Sequence, residues 1–193
     1  IPLSSPQPAE ERGETPKVST FAPLPTILDG NTAVSRVDHL LYEEALLYPI
    51  SPSTRASDEL YKLAIRGVKN IWGRSVRTFE LQSELGVSGS FHGGLVSGAL
   101  CSAFTSSQGL LLMVPTMYRI AGDLLPGVIH VASRALSIHK SDIFCDMSDV
   151  MAVRSSVFCM LHSSNDQEAQ DKAVISHHTA LRCYLPFLHW NDG

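Results

Sequence analysis

Helical and extended patterns of apolar residues alternate along the chain from about residue 29 onward. Residues 31–48 carry apolar side chains three or four positions apart, which is the spacing of one helix face. Short apolar runs, several of them rich in β-branched or aromatic residues, are typical of strands. The sequence predicts strands over residues 47–50, 75–81, 101–105, 127–135, 157–163 and 185–192, and further helices over residues 58–70, 84–99, 106–125, 146–156 and 165–183.

This alternation, with short turns between the elements, predicts an α/β fold in which helices flank a parallel sheet. Ligands of such sheets bind beyond the carboxyl ends of the strands, where the strand order switches direction. Ser57 and Asp58 are predicted to cap the second helix. Four loops follow predicted strands and are expected to lie together at the ligand edge: residues 51–54, 82–86, 105–109 and 133–146.

Residues 1–27 differ from the rest of the chain. They are rich in Pro, Ser and Glu, show no apolar period and lack the apolar core of a secretory signal. This composition predicts a linker or tail, followed by one folded domain over residues 28–193. An initial Ile and a final Gly are not typical natural termini, so we expect a fragment of a larger protein.

The composition supports one globular domain with a sizeable core. Of its 193 residues, 44% are hydrophobic and 18% are charged. The net charge of -4 gives no reason to expect a nucleic acid or an acidic membrane surface as partner. The longest apolar run is too short to cross a bilayer. The cysteines have no CxxC spacing and are predicted to be reduced, mostly buried thiols in a reducing compartment: Cys101, Cys145, Cys159 and Cys183.

Glu84 is the first candidate for chemistry, because it follows a predicted strand and begins a glycine-rich helix. A carboxylate there is also stabilised by the helix dipole alone, without any function. The functional interpretation rests on apolar Leu85 and Val87, since a carboxylic acid removed from water can exchange protons near neutral pH. The glycines that follow allow another element or domain to pack closely.

Ser51 and Arg134 are the other two candidates at the predicted ligand edge. Ser51 lies between Pro49 and Pro52, which fix the backbone so that its hydroxyl could bind a small anion; an ordinary turn is the alternative. Arg134 ends an apolar strand and could clamp a carboxylate with two hydrogen bonds, or form a structural ion pair.

The sequence predicts no metal ligands in this chain. Its histidines have no spacing typical of a metal site, and His177 and His178 are predicted to be solvated helix residues. The glycine-rich stretch matches neither the dinucleotide fingerprint nor the phosphate-binding P-loop, so both are rejected.

Several segments resemble the N-terminal domain of pyruvate:ferredoxin (flavodoxin) oxidoreductase. The resemblance covers about residues 29–193. Its most specific part is the long segment "SQGLLLM…LPG…H". The other matching segments are "DGNTAV", "YPISPST", "ELQSELGVSGSFHGG" and "SDVMAVR".

The resemblance implies a large multidomain enzyme that uses thiamine diphosphate, Mg²⁺ and iron–sulfur clusters. It implies oxidative cleavage of pyruvate with coenzyme A to acetyl-CoA and CO₂, with electrons passed to ferredoxin or flavodoxin. This chain would be the pyrimidine-binding module, while Mg²⁺ and the clusters would be held elsewhere in the parent polypeptide. A homodimer is expected, in the cytoplasm or, in a eukaryote, in a mitochondrion- or hydrogenosome-type organelle. We expect no activity from this chain alone.

The resemblance also assigns roles to the three candidates. Glu84 matches the glutamate that hydrogen-bonds the aminopyrimidine ring nitrogen, a catalytic and cofactor-binding role. Arg134 matches the arginine near the pyruvate carboxylate, a catalytic and substrate-binding role. Ser51 stands where the family usually has threonine and keeps the substrate-binding hydroxyl. Cys145 and Met147 depart from the family pattern, so we expect the loop beside the active site to alter substrate preference or turnover.

Two alternatives fit the same residues. The domain could belong to a pyruvate:NADP⁺ oxidoreductase, in which a flavin reductase module replaces the ferredoxin partner. It could also be a non-catalytic scaffold fused to another reductase.

Overall fold

A computed structural model of the chain describes residues 26–137 and 142–192. Its strands form one six-stranded sheet in which every neighbouring pair runs parallel, which confirms the predicted α/β class. The strands are β1 (Glu44–Leu47), β2 (Arg77–Glu80), β3 (Cys101–Thr105), β4 (Val128–Ser133), β5 (Cys159–Ser163) and β6 (Phe187–Asp192). The predicted tail, residues 1–27, lies outside the described residues except for its last two positions, so that prediction stays untested.

Helices cover both faces of this sheet. They are α1 (Gly30–Leu41), α2 (Thr54–Ile65), α3 (Glu84–Val96), α4 (Ser107–Gly122), α5 (Ser148–Ala152) and α6 (Asp166–Cys183), with a 3₁₀ turn at Arg154–Ser156. Successive residues of a strand point to opposite faces, so β1 contributes to two cores. Leu46 packs with α3, α4 and α5, whereas Ala45 and Leu47 pack with α1, α2 and α6. Each large apolar side chain buried in these cores contributes roughly 1.5–3 kcal/mol.

The strand order fixes where a ligand can bind. The order is β2-β1-β3-β4-β6-β5, so the chain leaves β1 in one direction to form β2 and continues in the other direction from β3. The two directions part between β1 and β3, and the loops after these strands flank a crevice there. This is the edge on which the sequence places its candidate residues.

The first helix and strand are shifted relative to the prediction. The predicted helix over residues 31–48 ends at Leu41, and β1 begins at Glu44 rather than Leu47. Tyr42 ends α1 with extended backbone, and its amide donates to the Asp38 carbonyl. The shift has a physical reason: a fully buried strand is continuously apolar, and a few such residues also satisfy a helical spacing.

Two other helix boundaries were predicted wrongly. Helix α2 begins at Thr54 and not at Asp58, because the Ser53 carbonyl already accepts the Ser57 amide; Ser53 Oγ makes no capping hydrogen bond and donates to the Ile50 carbonyl at 2.8 Å. Ser57, predicted as a cap, is buried inside the helix. The helix predicted over residues 146–156 is divided into α5 and the 3₁₀ turn.

The cysteines are all free thiols, as predicted, but they are not mostly buried. Cys101 is buried, Cys145 and Cys159 are half-buried, and Cys183 is exposed. Within the described ranges, no helix combines the length and apolar character that crossing a bilayer requires.

Candidate active site

Glu84 is the first residue of α3 and lies at the carboxyl edge of the sheet. The preceding residue, Ser83, caps the helix by accepting the Gly86 amide at 3.4 Å. The Glu84 side chain is only 4% exposed, and none of the described residues hydrogen-bonds or ion-pairs with it. The sequence predicts that Leu85 and Val87 shield Glu84 from water. Val87 is fully buried as this requires, whereas Leu85 is 57% exposed. A buried carboxylate is normally paired, so Glu84 is suited to bind a ligand.

The start of α4 lies directly against this carboxylate. A Cβ on Gly109 would overlap Glu84 Oε1 and would lie 2.7 Å from Thr105 Oγ1. The hydroxyls of Thr105 and Ser106 are also buried, and neither has a hydrogen-bond partner among the described residues. One carboxylate and two hydroxyls without partners therefore occur together at the end of β3.

Asp149 joins the loops at this edge. Its Oδ2 accepts the Ser107 and Arg134 amides, each at 3.0 Å, and its Oδ1 accepts the Ser133 hydroxyl at 2.7 Å and the Val150 amide at 2.8 Å. Asp149 is completely buried. It therefore fixes the end of β4 against the start of α4, and it was not predicted from the sequence.

Arg134 and Ser51 meet at the same edge, as expected from the strand order. Arg134 Nη1 donates to the Ser51 carbonyl at 3.1 Å, and its Nε donates to the Asp142 carbonyl at 2.7 Å. Ser51 is exposed, and its peptide bond to Pro52 is cis. The contact involves the backbone of Ser51 and not its hydroxyl, so the arginine holds the loop after β1 beside the loop after β4.

The segment with Cys145 and Met147 returns to this loop. The Ala135 amide donates to the Phe144 carbonyl at 2.8 Å, and Met147 precedes α5 with a left-handed backbone, φ 62°. Residues 138–141 lie outside the described ranges. The predicted effect of Cys145 and Met147 on substrate preference or turnover stays a prediction.

A cavity of about 740 Å³ lies elsewhere, and Glu84, Ser51 and Arg134 do not line it. Its walls include basic residues, Arg55 and Lys62, and acidic residues, Asp29 and Asp166. The Glu84 edge is the better candidate for catalysis because it has the buried, unpaired acid at the switch in strand order.

The arrangement defines a class of protein: an α/β domain that presents a buried acid at the ligand edge of a parallel sheet. Residues 40–193 match the family model described as "Pyruvate flavodoxin/ferredoxin oxidoreductase, thiamine diP-bdg". The chain belongs to this family, which confirms the resemblance recognised in the sequence.

Relatives over most of the chain have related names. It is 49% identical over 166 residues to "Pyruvate:ferredoxin oxidoreductase" of Moorella thermoacetica, and the match covers 86% of this chain and 14% of that protein. It is 44% identical over 186 residues to "Pyruvate dehydrogenase [NADP(+)], mitochondrial" of Euglena gracilis, covering 96% of this chain and 10% of that protein. The chain thus spans only a small part of the relatives it matches.

A solved structure has the same fold. It is a 2-oxoglutarate:ferredoxin oxidoreductase from Magnetococcus marinus, which contains 2-oxoglutarate, coenzyme A and succinyl-CoA. The TM-score is 0.71 at 17% identity, and the match covers 86% of this chain and 29% of that one.

Proposed function

We propose that this chain is the pyrimidine-binding domain of a thiamine diphosphate-dependent enzyme that oxidises pyruvate with coenzyme A to acetyl-CoA and CO₂. Electrons then pass to ferredoxin or flavodoxin. The observation that carries the proposal is Glu84, a buried carboxylate without a partner among the described residues at the ligand edge. Membership of the family and the names of the relatives support pyruvate as the substrate.

The polar groups at this edge fit an aminopyrimidine ring. Glu84 can share a proton with a ring nitrogen, and the buried hydroxyls of Thr105 and Ser106 can bind neighbouring polar atoms. The Glu84 carboxylate can lie against α4 because Gly109 has no side chain. When bound, thiamine diphosphate supplies the carbon nucleophile that attacks the 2-oxo group. Glu84 acts as the proton donor and acceptor that sets the protonation of the ring.

Arg134 and Ser51 are proposed to recognise the substrate. Arg134 is anchored through its Nε to the Asp142 carbonyl and reaches the Ser51 backbone through Nη1. A guanidinium held in this way presents its charge to a carboxylate, and pyruvate has one. Ser51 is exposed on the neighbouring loop after β1, and its hydroxyl can donate to the substrate.

The proposed reaction also needs groups from other parts of the enzyme. Mg²⁺, the diphosphate-binding module and the iron–sulfur clusters belong to the rest of the parent polypeptide, which is proposed to be a homodimer. The chain alone is then inactive. The NADP⁺-linked reaction is a second candidate, because the Euglena relative aligns over 186 residues of this chain and the Moorella relative over 166.

The test is pyruvate oxidation by the full-length protein and its Glu84→Gln variant. The amide keeps the size of the side chain and cannot exchange the proton, so kcat should fall by about 10²–10⁴-fold. Glu80→Gln is the matched control, since this carboxylate is exposed and, among the described residues, accepts only the Tyr61 hydroxyl. Equal activity of the two variants would favour the non-catalytic scaffold.

The acceptor and the substrate need a separate comparison. The full-length protein is assayed with pyruvate or 2-oxoglutarate, and with ferredoxin, flavodoxin or NADP⁺. Pyruvate with ferredoxin or flavodoxin is the expected pair. Turnover with NADP⁺ alone would support the second candidate, and turnover with 2-oxoglutarate alone would overturn the substrate.

A further inference from the structure

A second polar cluster is buried on the other side of the sheet. Asp38 of α1, His130 of β4 and His177 of α6 bring one ligand atom each to a common point, and all three are buried. His130 Nε2 lies 3.1 Å from His177 Nε2. Asp38 Oδ1 lies 3.4 Å from His177 Nε2 and 3.6 Å from His130 Nε2. We call these three residues the histidine–aspartate cluster.

These distances match the edges of a small coordination tetrahedron. Zinc binds imidazole nitrogen and carboxylate oxygen at about 2.0–2.2 Å, which separates neighbouring ligand atoms by about 3.3 Å. We propose that Asp38, His130 and His177 bind a Zn²⁺ ion. Three protein ligands leave one coordination position, which a water can occupy.

The hydrogen bonds around the cluster leave the required lone pairs available. His177 Nδ1 is hydrogen-bonded to the Tyr42 hydroxyl, and His130 Nδ1 lies 3.0 Å from His189 Nδ1. When each of these Nδ1 atoms carries the proton, both Nε2 atoms are free to bind a metal. Such outer partners are what fixes the ring of a metal-binding histidine.

The hydrogen bonds continue from the cluster to other buried residues. His189 Nε2 can donate to Ser163 Oγ at 2.8 Å, and Ser163 Oγ donates to the Glu168 carbonyl at 3.1 Å. The Ser102 hydroxyl donates to Asp38 Oδ2 at 2.6 Å. Of the two Asp38 oxygens, Oδ2 alone has a hydrogen-bond partner among the described residues.

The other Asp38 oxygen has no hydrogen-bond partner in the described part of the chain. Asp38 Oδ1 is fully buried and has no hydrogen-bond partner among the described residues. Its two histidine neighbours lie at 3.4 and 3.6 Å, and the longer distance exceeds that of a hydrogen bond. A buried carboxylate oxygen without a donor is costly, and a cation at the common point would satisfy it.

The ion would join three elements that are distant in sequence. It would tie α1 and α6 to the centre of the sheet, below the edge that carries Glu84. A mostly apolar cavity of about 210 Å³ borders Tyr42 and His177 and provides a path toward the cluster.

The test is the zinc content of the full-length protein, purified without a histidine tag and measured by plasma mass spectrometry. His177→Gln should contain about one zinc per chain less than the wild type, since it removes one of three ligands. His178→Gln is the matched control, because this exposed neighbour on the same helix should keep the wild-type content. Equal zinc in the wild type and His177→Gln would overturn the proposal.

A second measurement avoids dependence on a variant that fails to fold. The wild-type protein is treated with a chelator and titrated with Zn²⁺, and Tyr42→Phe is titrated in parallel. One Zn²⁺ per chain should be taken up, with about 10–100-fold weaker affinity in Tyr42→Phe because an outer partner is lost. No uptake by the wild type would mean that the cluster shares a proton and holds no metal.

Discussion

The Glu84 carboxylate keeps its position because Gly109 has no side chain. The two residues belong to different helices, and the glycine lets α4 approach the acid more closely than any other residue would. The acid itself is buried without a partner among the described residues. At the scale of single residues, the candidate site thus depends on the Glu84 carboxylate and on the absence of a side chain at Gly109.

Gly109→Ala should displace the acid. The added methyl overlaps Glu84 Oε1 and approaches Thr105 Oγ1 to 2.7 Å, so the carboxylate must move. A displacement of about 1 Å costs on the order of 10²-fold in activity, and overpacking costs about 1–3 kcal/mol of stability. Pyruvate oxidation by the full-length protein and urea unfolding of the chain measure the two effects. Gly122→Ala is the control on the same helix, where no described residue apart from the adjoining helix backbone lies within 4 Å of the new methyl; equal effects of both changes would contradict the contact.

Asp149→Asn should loosen the edge of the sheet. Four donors surround this carboxylate, and an amide would turn its NH₂ group toward at least one pair of them. Loss of hydrogen bonds to a buried charge predicts destabilisation by about 3 kcal/mol, measured by urea unfolding of the chain. Asp171→Asn is an exposed control that should change stability by less than about 0.5 kcal/mol. A tolerated Asp149→Asn would show that these bonds do not hold the loops.

Candidate residues could be selected from the sequence where their sequence neighbours carry the information. Glu84 could be selected because it follows a predicted strand, and Arg134 because it ends one; their assigned roles stay predictions. Asp149 could not, because its partners Ser133 and Ser107 lie 16 and 42 positions away. His177 was wrongly predicted to be solvated, since one buried polar face of a helix resembles an exposed one; His178 is exposed as predicted.

Elements were predicted well in number and type but less well at their ends. All six predicted strands exist, and the candidate residues follow the carboxyl ends of β1, β2, β3 and β4, at the edge that the alternation implied. The boundary between α1 and β1 was misplaced because Ala45, Leu46 and Leu47 are buried on both faces of a central strand. Continuous burial removes the alternation from which a strand is normally recognised.

The cap of α1 gives a pH-dependent prediction. Asp29 accepts the Thr32 amide at 3.0 Å and the Thr32 hydroxyl at 2.8 Å, and it pairs with Arg55 at 3.0 Å. Burial raises the pKa of Asp29, but these contacts outweigh it and lower the pKa below its ordinary 3.8. The stabilisation by the Asp29 carboxylate is therefore fully present above pH 3.8 and is lost as the pH falls through the lower pKa that Asp29 has in the folded protein.

Asp29→Ala should accordingly lower the free energy of unfolding by about 1 kcal/mol at pH 7. The difference from the wild type should shrink as the pH falls through the pKa of the Asp29 carboxyl in the folded protein. Urea unfolding of both proteins across this pH range measures the change. Asp58→Ala, an exposed position within α2, should show little difference at any pH. A cost of Asp29→Ala that does not depend on pH would exclude the charged cap.

On the scale of the whole molecule, the fold class followed from the sequence, while the strand order did not. Alternating strands and helices imply a parallel sheet, but the position of β6 between β4 and β5 depends on long-range packing. Family membership is established over residues 40–193. The chain spans 14% of the Moorella relative, so the complete reaction stays part of the proposed function.

The central claim is that Glu84 binds the cofactor ring, and calorimetric titration tests it most directly. Thiamine diphosphate with Mg²⁺ is titrated into the full-length wild-type protein and into Glu84→Ala. Loss of a hydrogen bond to a charged group, worth about 1.5–3 kcal/mol, predicts roughly 10–150-fold weaker binding by the variant. Equal affinity of the two proteins would contradict the assignment of Glu84 to the cofactor.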